Sequence, residues 1–274
     1  MSDAYVDELL INTARRIPVC FVVDTSKSMQ TLTHYDPKKH KIIESDELVD
    51  GKRRKKVVNL DGSEPTETRL NAAVTGVNRF LETIRNSDEA TDACDIAIIT
   101  YDKIVNVVND FTGVSNIDEF KFNPDDCQDA TVTGEAVTTA LQILKERKEK
   151  YQKMKIDYCQ PWIVIFTDGE PQDDVKEAQA ECTKLQNDDK LVVFPFVLLN
   201  RPDERSGDRA KAEFKATLEK LAGFTKKGVS GVLTLADDIE KFFEFLGKSI
   251  SAAAEDESDP DEDYYNSYDV SDLE

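Results

Sequence analysis

Residues 18–29, Pro-Val-Cys-Phe-Val-Val-Asp-Thr-Ser-Lys-Ser-Met, place one carboxylate and two hydroxyls at alternate positions, Asp24, Ser26 and Ser28, directly after an unbroken apolar run. All three side chains end in hard oxygen atoms. The run from Val19 to Val23 has no polar face, so it reads as a strand buried on both sides, as in parallel sheets covered by helices. Open α/β sheets bind ligands outside the carboxyl ends of their strands, where this oxygen cluster falls. A second buried run, Trp162 to Thr167, ends on Asp168-Gly169-Glu170-Pro171, and Ala130-Thr131-Val132-Thr133-Gly134 stands just before a helical pattern. If the two strands are neighbours, Thr131 and Asp168 come to lie beside Asp24, Ser26 and Ser28. Taken singly these pieces say little, because Asp-Thr-Ser after a strand is commonly a turn or a helix cap. Their order on successive elements makes them a candidate set.

The elements that must position this set can be read from periodicity. Arg69 to Asn86 carries Leu70, Ala73, Val74, Val77, Phe80, Leu81 and Ile84 on one helical stripe. Asp95 to Tyr101 and Ile104 to Phe111 read as two strands around a tight Asp102-Lys103 turn, which gives one antiparallel edge strand. Helices are expected over Glu135 to Tyr151, Asp173 to Gln186 and Ala210 to Leu221, the last closing at Gly223. Strands are expected over Leu191 to Leu199 and Gly231 to Leu235, followed by an amphipathic helix through Ile239, Phe242, Phe243, Leu246 and Ile250. Gln30 to Thr66 is too long for an ordinary connection. Within it, Lys41-Ile42-Ile43 and Lys56-Val57-Val58-Asn59-Leu60 flank Asp50-Gly51, the signature of an inserted β-hairpin. Val6, Leu9, Leu10 and Ile11 suggest a short helical turn near the N-terminus. The alternation predicts an α/β fold, a doubly wound, mostly parallel six-stranded sheet with helices on both faces. The domain is expected to span 1–254 with a hairpin inserted at 30–66, and 255–274 form an acidic tail.

Asp24-x-Ser26-x-Ser28 with the distant Thr131 and Asp168 resembles the metal-ion-dependent adhesion site (MIDAS) of the von Willebrand factor A (VWA) domain family. Arg15-Arg16-Ile17-Pro18 before the first strand and Thr167-Asp168-Gly169-Glu170-Pro171 after the later one look closest to the bacterial tellurium-resistance (TerY-like) members. The resemblance covers about residues 14 to 254, interrupted by the insertion. It implies a divalent cation, Mg²⁺ first and Mn²⁺ or Ca²⁺ as alternatives, held by Asp24, Ser26, Ser28, Thr131 and Asp168. Such hard cations take oxygen ligands in ordered shells. The resemblance further implies that the carboxylates act partly through water, so the directly bound oxygens are mainly neutral and the ion stays electrophilic. An Asp or Glu of a partner protein would complete the shell, in a tellurium-resistance or stress-response assembly. Many members have Gly where this chain has Lys27, and a Gly pair where it has Asp129-Ala130. The first departure puts an ammonium near the site, and the second bears on the placement of Thr131.

Composition narrows the remaining readings. The net charge is −20, from 55 acidic and 35 basic residues. Residues 255–274 hold ten Asp or Glu and no Lys or Arg, so half of the excess sits in the tail. Nucleic acid and anionic membranes are not expected partners. No apolar run is long enough to span a bilayer, and Met1 to Glu8 lacks the basic start of a signal peptide, so a cytoplasmic location is expected. Five cysteines with no close pair indicate neither a disulfide framework nor a zinc site. The enzymatic alternative is a haloacid-dehalogenase-like phosphatase using Asp24. It needs a second carboxylate two residues on, where Ser26 stands, so no catalytic residue is assigned. The basic run Lys52-Arg53-Arg54-Lys55-Lys56 reads first as a solvated face, and otherwise as a docking surface for an acidic partner or a nucleic acid. The tail, with Tyr264, Tyr265 and Tyr268, reads either as a linear recognition segment or as a self-contact that fills the metal site.

Overall fold

The computed structural model describes residues 14–49, 52–199, 207–234 and 239–256. The chain opens on β1, Ile17–Asp24, in which every residue is buried. β2 (His40–Val49) and β3 (Lys52–Asn59) then pair antiparallel as a separate two-stranded sheet, with Ile42 opposite Val57. Helices α1 (Arg69–Arg85) and α2 (Asp88–Ala93) follow, then β4 (Cys94–Tyr101) and β5 (Val105–Gly113). The second half runs α3 (Thr133–Met154), β6 (Trp162–Thr167), α4 (Lys176–Asn187), β7 (Val192–Val197), α5 (Asp208–Ala222), β8 (Leu233–Thr234) and α6 (Ile239–Asp256).

The large sheet has the order β5-β4-β1-β6-β7-β8. β5 alone is antiparallel to its neighbour. From β1 the chain winds outward to β4 and β5, then returns to place β6 on the other side of β1. The winding therefore reverses between β1 and β6, and the crevice outside their carboxyl ends is the ligand-binding position of such sheets. The register puts Val23 opposite Phe166 and Asp24 opposite Tyr101, so Asp24 and the residues after Thr167 leave the sheet at the same rim.

Alternation along the strands splits the core between the two faces. Val19, Phe21 and Val23 join α1, α2 and α6 in one cluster, whereas Cys20 and Val22 join α3, α4 and α5 in the other. Aromatic rings dominate the first: Phe21 meets Phe80 edge-on at 5.1 Å, and Phe166 stacks on Phe243 at 5.3 Å. A Cβ on Gly76 would come within 2.0 Å of the Phe243 ring, so glycine there allows α6 to close on α1. At the far end of the sheet, Asp95 is buried against Arg147, whose NH2 lies 2.5 Å from Oδ2, and also accepts the Tyr151 hydroxyl.

The fold class expected from the sequence is the observed one, and most element boundaries agree within a few residues. Three differ, two of them for identifiable reasons. The helix expected from Asp173 begins only at Lys176, because Asp173 turns back to cap α3. The short α2, capped by Ser87 accepting from Ala90 N–H, was not expected at all, being shorter than two turns. β8 is two residues long. The Asp50-Gly51 turn, the N-terminal apolar cluster and the tail beyond Asp256 lie outside the described residues.

Candidate metal centre

Four of the five expected residues are joined by hydrogen bonds at the β1/β6 rim. Asp24 is fully buried. Its Oδ1 accepts the Ser26 backbone N–H at 2.8 Å, and its Oδ2 accepts the Thr167 hydroxyl at 2.6 Å. The Ser26 and Ser28 hydroxyls lie 3.0 Å apart, and Ser28 Oγ donates to Asp168 Oδ1 at 2.7 Å. Ser26 and Asp168 are buried, while Ser28 is exposed at the mouth.

Thr131 reaches the same place by a different route. It is buried, and its Oγ1 is 3.8 Å from the point a Cβ on Gly169 would occupy. Its carbonyl accepts Gln172 N–H at 2.9 Å, and the Asp173 carboxylate accepts the N–H groups of Gly134 and Glu135 at 3.1 and 2.8 Å. Asp173 thus satisfies donors that the start of α3 would leave unpaired. A Cβ on Gly134 would stand 2.7 Å from the Asp174 carbonyl, so this junction needs glycine. The loop bearing Thr131 is in this way tied to the loop bearing Asp168. From the other side, Asp102 holds it through Gln128 N–H on Oδ2 at 3.1 Å and Val132 N–H on its carbonyl at 3.1 Å.

Both departures from the family pattern have a structural outcome. Lys27 turns outward, its Nζ 3.0 Å from Asp129 Oδ2 on the surface, so its ammonium does not face the carboxylates. Ala130 has φ 151°, a backbone conformation that favours glycine, and it immediately precedes Thr131. The chain therefore bears strain at the residue just before Thr131.

One residue at the site was missed by the sequence reading. Arg69, the first residue of α1, donates from NH1 to Asp168 Oδ2 at 2.6 Å, with its side chain 13% exposed. The signal was present: a cation in the first turn opposes the helix dipole, and this first turn holds no acid.

The electrostatics favour a cation. Burial, and then the facing Asp168 carboxylate, raise the Asp24 carboxyl from its ordinary 3.8 to about 7, against hydrogen bonds from Ser26 and Thr167 that lower it. Among the described residues no group of three or more His, Cys, Asp or Glu could hold a metal. A cation at this rim would depend on the hydroxyls of Ser26, Ser28 and Thr131 together with the two carboxylates. An all-oxygen set of this kind suits a hard divalent ion and not a soft one.

The chain matches the sequence model of the von Willebrand factor type A domain over residues 57–243, more than half its length, and belongs to that family. VWA domains are commonly protein-interaction modules, often metal-dependent, and generally not enzymes. No curated protein sequence matches the chain significantly. Among solved structures it is similar to the PilB minor pilin from Streptococcus sanguinis. The identity there is 13% and the TM-score 0.54, over 87% of this chain and 62% of the pilin's. It is also similar to an aerotolerance-related membrane protein from Bacteroides fragilis, with 14% identity and TM-score 0.49, over 86% of this chain and 99% of that one. A third is proximal thread matrix protein 1 of the mussel byssus, solved with zinc in its MIDAS motif, at 12% identity and TM-score 0.46, over 89% and 47% of the two chains. At 13% identity the likeness to the pilin is one of fold alone. Among the described residues no helix is long and apolar enough to cross a membrane.

Proposed function

We propose that Asp24, Ser26, Ser28, Thr131 and Asp168 form a MIDAS that holds a divalent cation, Mg²⁺ in the first instance, and that this cation docks an Asp or Glu of a partner protein. The observation that carries the reading is the pairing of two buried carboxylates, Asp24 and Asp168, through a chain of serine hydroxyls at the sheet's switch point. Two like charges in low dielectric call for a counter-ion of higher charge than one arginine supplies. A cation held largely by neutral hydroxyls keeps affinity for one more anionic oxygen, and the exposed Ser28 marks the open side. In this reading the chain supplies binding and orientation, and the metal supplies the attraction for the partner's carboxylate.

The same reading extends to the whole chain. It takes 1–254 as one VWA unit with the hairpin of 30–66 as an insertion, and 255–274 as an appended acidic segment for recognition or self-contact. It keeps the cytoplasmic location expected from the sequence, and it places the module in an assembly of the type that tellurium-resistance relatives join on the strength of Arg15–Pro18 and Thr167–Pro171 alone. Phosphatase chemistry is disfavoured because both Asp24 oxygens already accept hydrogen bonds and Ser26 occupies the place of the second acid.

Mn²⁺ binding followed by electron paramagnetic resonance tests the site. The full-length chain should bind one ion, competed by Mg²⁺, and Asp24→Ala should abolish binding. An unchanged affinity in Asp24→Ala would refute the assignment. For the partner, capture from native extract in Mg²⁺ should yield proteins lost both in EDTA and with Asp24→Ala.

A further inference from the structure

We infer that Arg69 couples the two binding events, holding the bare site in a low-affinity state for metal and reserving one unit of positive charge for an anionic ligand. The inference rests on the metal reading above and concerns a residue outside the five proposed ligands.

The guanidinium is fixed in place. Arg69 N–H donates to Thr31 O at 3.0 Å, Thr33 N–H donates to Glu67 O at 2.9 Å, and Thr68 caps α1 by accepting Asn71 N–H at 3.2 Å. Two strands of loop therefore hold the helix start against the segment that follows Ser28. From there NH1 reaches Asp168 Oδ2 at 2.6 Å, while Oδ1 of the same carboxylate accepts Ser28 Oγ at 2.7 Å. Arg69 Nε is buried and has no hydrogen-bond partner among the described residues.

The charges then decide the behaviour. Two carboxylate charges against the one of Arg69 sum to −1, so a divalent ion brings the rim to +1 and a single external carboxylate to neutrality. Without Arg69 the same ion would already neutralise the two aspartates, and an added carboxylate would leave an excess negative charge in a poorly solvated place. Arg69 thus weakens the cation's hold and strengthens the anion's. Because coupling between two ligands is reciprocal, an anion that favours the loaded state must also tighten the metal. The chemistry singles out a partner carboxylate that arrives with, or after, the ion.

The test uses the full chain, Mn²⁺ as the metal and acetate as the carboxylate. Arg69→Gln keeps a donor for Asp168 and deletes the charge, and Arg69→Lys keeps the charge. Arg69→Gln should bind Mn²⁺ about tenfold tighter or more, as expected for removing a full charge from a partly buried site. Acetate should tighten Mn²⁺ in the wild type and in Arg69→Lys and lose that effect in Arg69→Gln. Equal or weaker Mn²⁺ binding by Arg69→Gln, or the same change in both variants, would overturn the inference while leaving the metal site standing. A wild type that binds no Mn²⁺ would instead remove the site itself, and this inference with it.

Discussion

Replacing Asp24 by Asn should make the protein more stable without metal and less stable with it. Burial and Asp168 raise the Asp24 carboxyl from 3.8 to about 7. A carboxyl raised in the folded state gives stability that is complete below its unfolded pKa and is lost as pH climbs through the folded value. The metal-free fold thus forfeits up to about 4 kcal/mol between roughly pH 4 and 7, at 1.36 kcal/mol per unit. Asn removes this charge but offers one acceptor where Asp24 offers two, to Ser26 N–H and to the Thr167 hydroxyl. An unpaired buried donor costs about 1–3 kcal/mol. Thr167 has a second acceptor in Gly169 O at 3.3 Å, which limits the loss. The net gain is on the order of 1–2 kcal/mol, a rise of a few degrees in Tm for a chain of this size. Thermal unfolding followed by circular dichroism at pH 8 reads it out. In EDTA the Asp24→Asn protein should melt above the wild type, and in excess Mg²⁺ the wild type should rise past it, since a ligand stabilises only the fold that binds it. A variant that melts lower in EDTA, or a wild type indifferent to Mg²⁺, would refute the reasoning.

Further outcomes can be checked by standard measurements. Ala130→Gly should relieve the strain at φ 151° and stabilise the fold by up to about 1 kcal/mol, seen as a higher urea midpoint; a lower one would show the strain to be absent. Arg147→Met should cost about 3–5 kcal/mol by leaving Asp95 poorly paired in the core. The Mg²⁺ response of the surviving folded protein should be unchanged, because Asp95 sits at the opposite end of the sheet. All five cysteines are buried, and burial pushes the Cys182 thiol up to about 12, so Ellman's reagent at pH 8 should react slowly until urea unfolds the chain. Rapid reaction of several thiols in the native protein would contradict the packing.

The sheet was legible because its inner strands are apolar on both faces: Val19–Val23 and Trp162–Thr167 admit no other placement in a chain of this kind. The amphipathic stripe of α1 and the phenylalanines of α6 were equally readable, since each buries one face only. What escaped reading involved contacts made across long stretches of sequence. Asp173 looked like the acidic first turn of a helix, yet its carboxylate is spent on Gly134 and Glu135 of another helix. Arg69 looked like an ordinary helix-start residue, and only the fold brings it 99 positions along the chain to Asp168. Lys27 looked like an intruder at the site, and its pairing with Asp129 across a neighbouring loop turns it outward. The candidate ligands themselves were visible because three lie within five residues, Thr131 stands just before a recognisable helix and Asp168 directly follows a recognisable strand.

The most direct measurement is anomalous diffraction from crystals grown or soaked with Mn²⁺. One strong peak is expected at the β1/β6 rim, within bonding distance of the hydroxyl oxygens of Ser26 and Ser28, with Thr131, Asp24 and Asp168 around it directly or through water. A peak elsewhere, or none at this rim at saturating Mn²⁺, would contradict it.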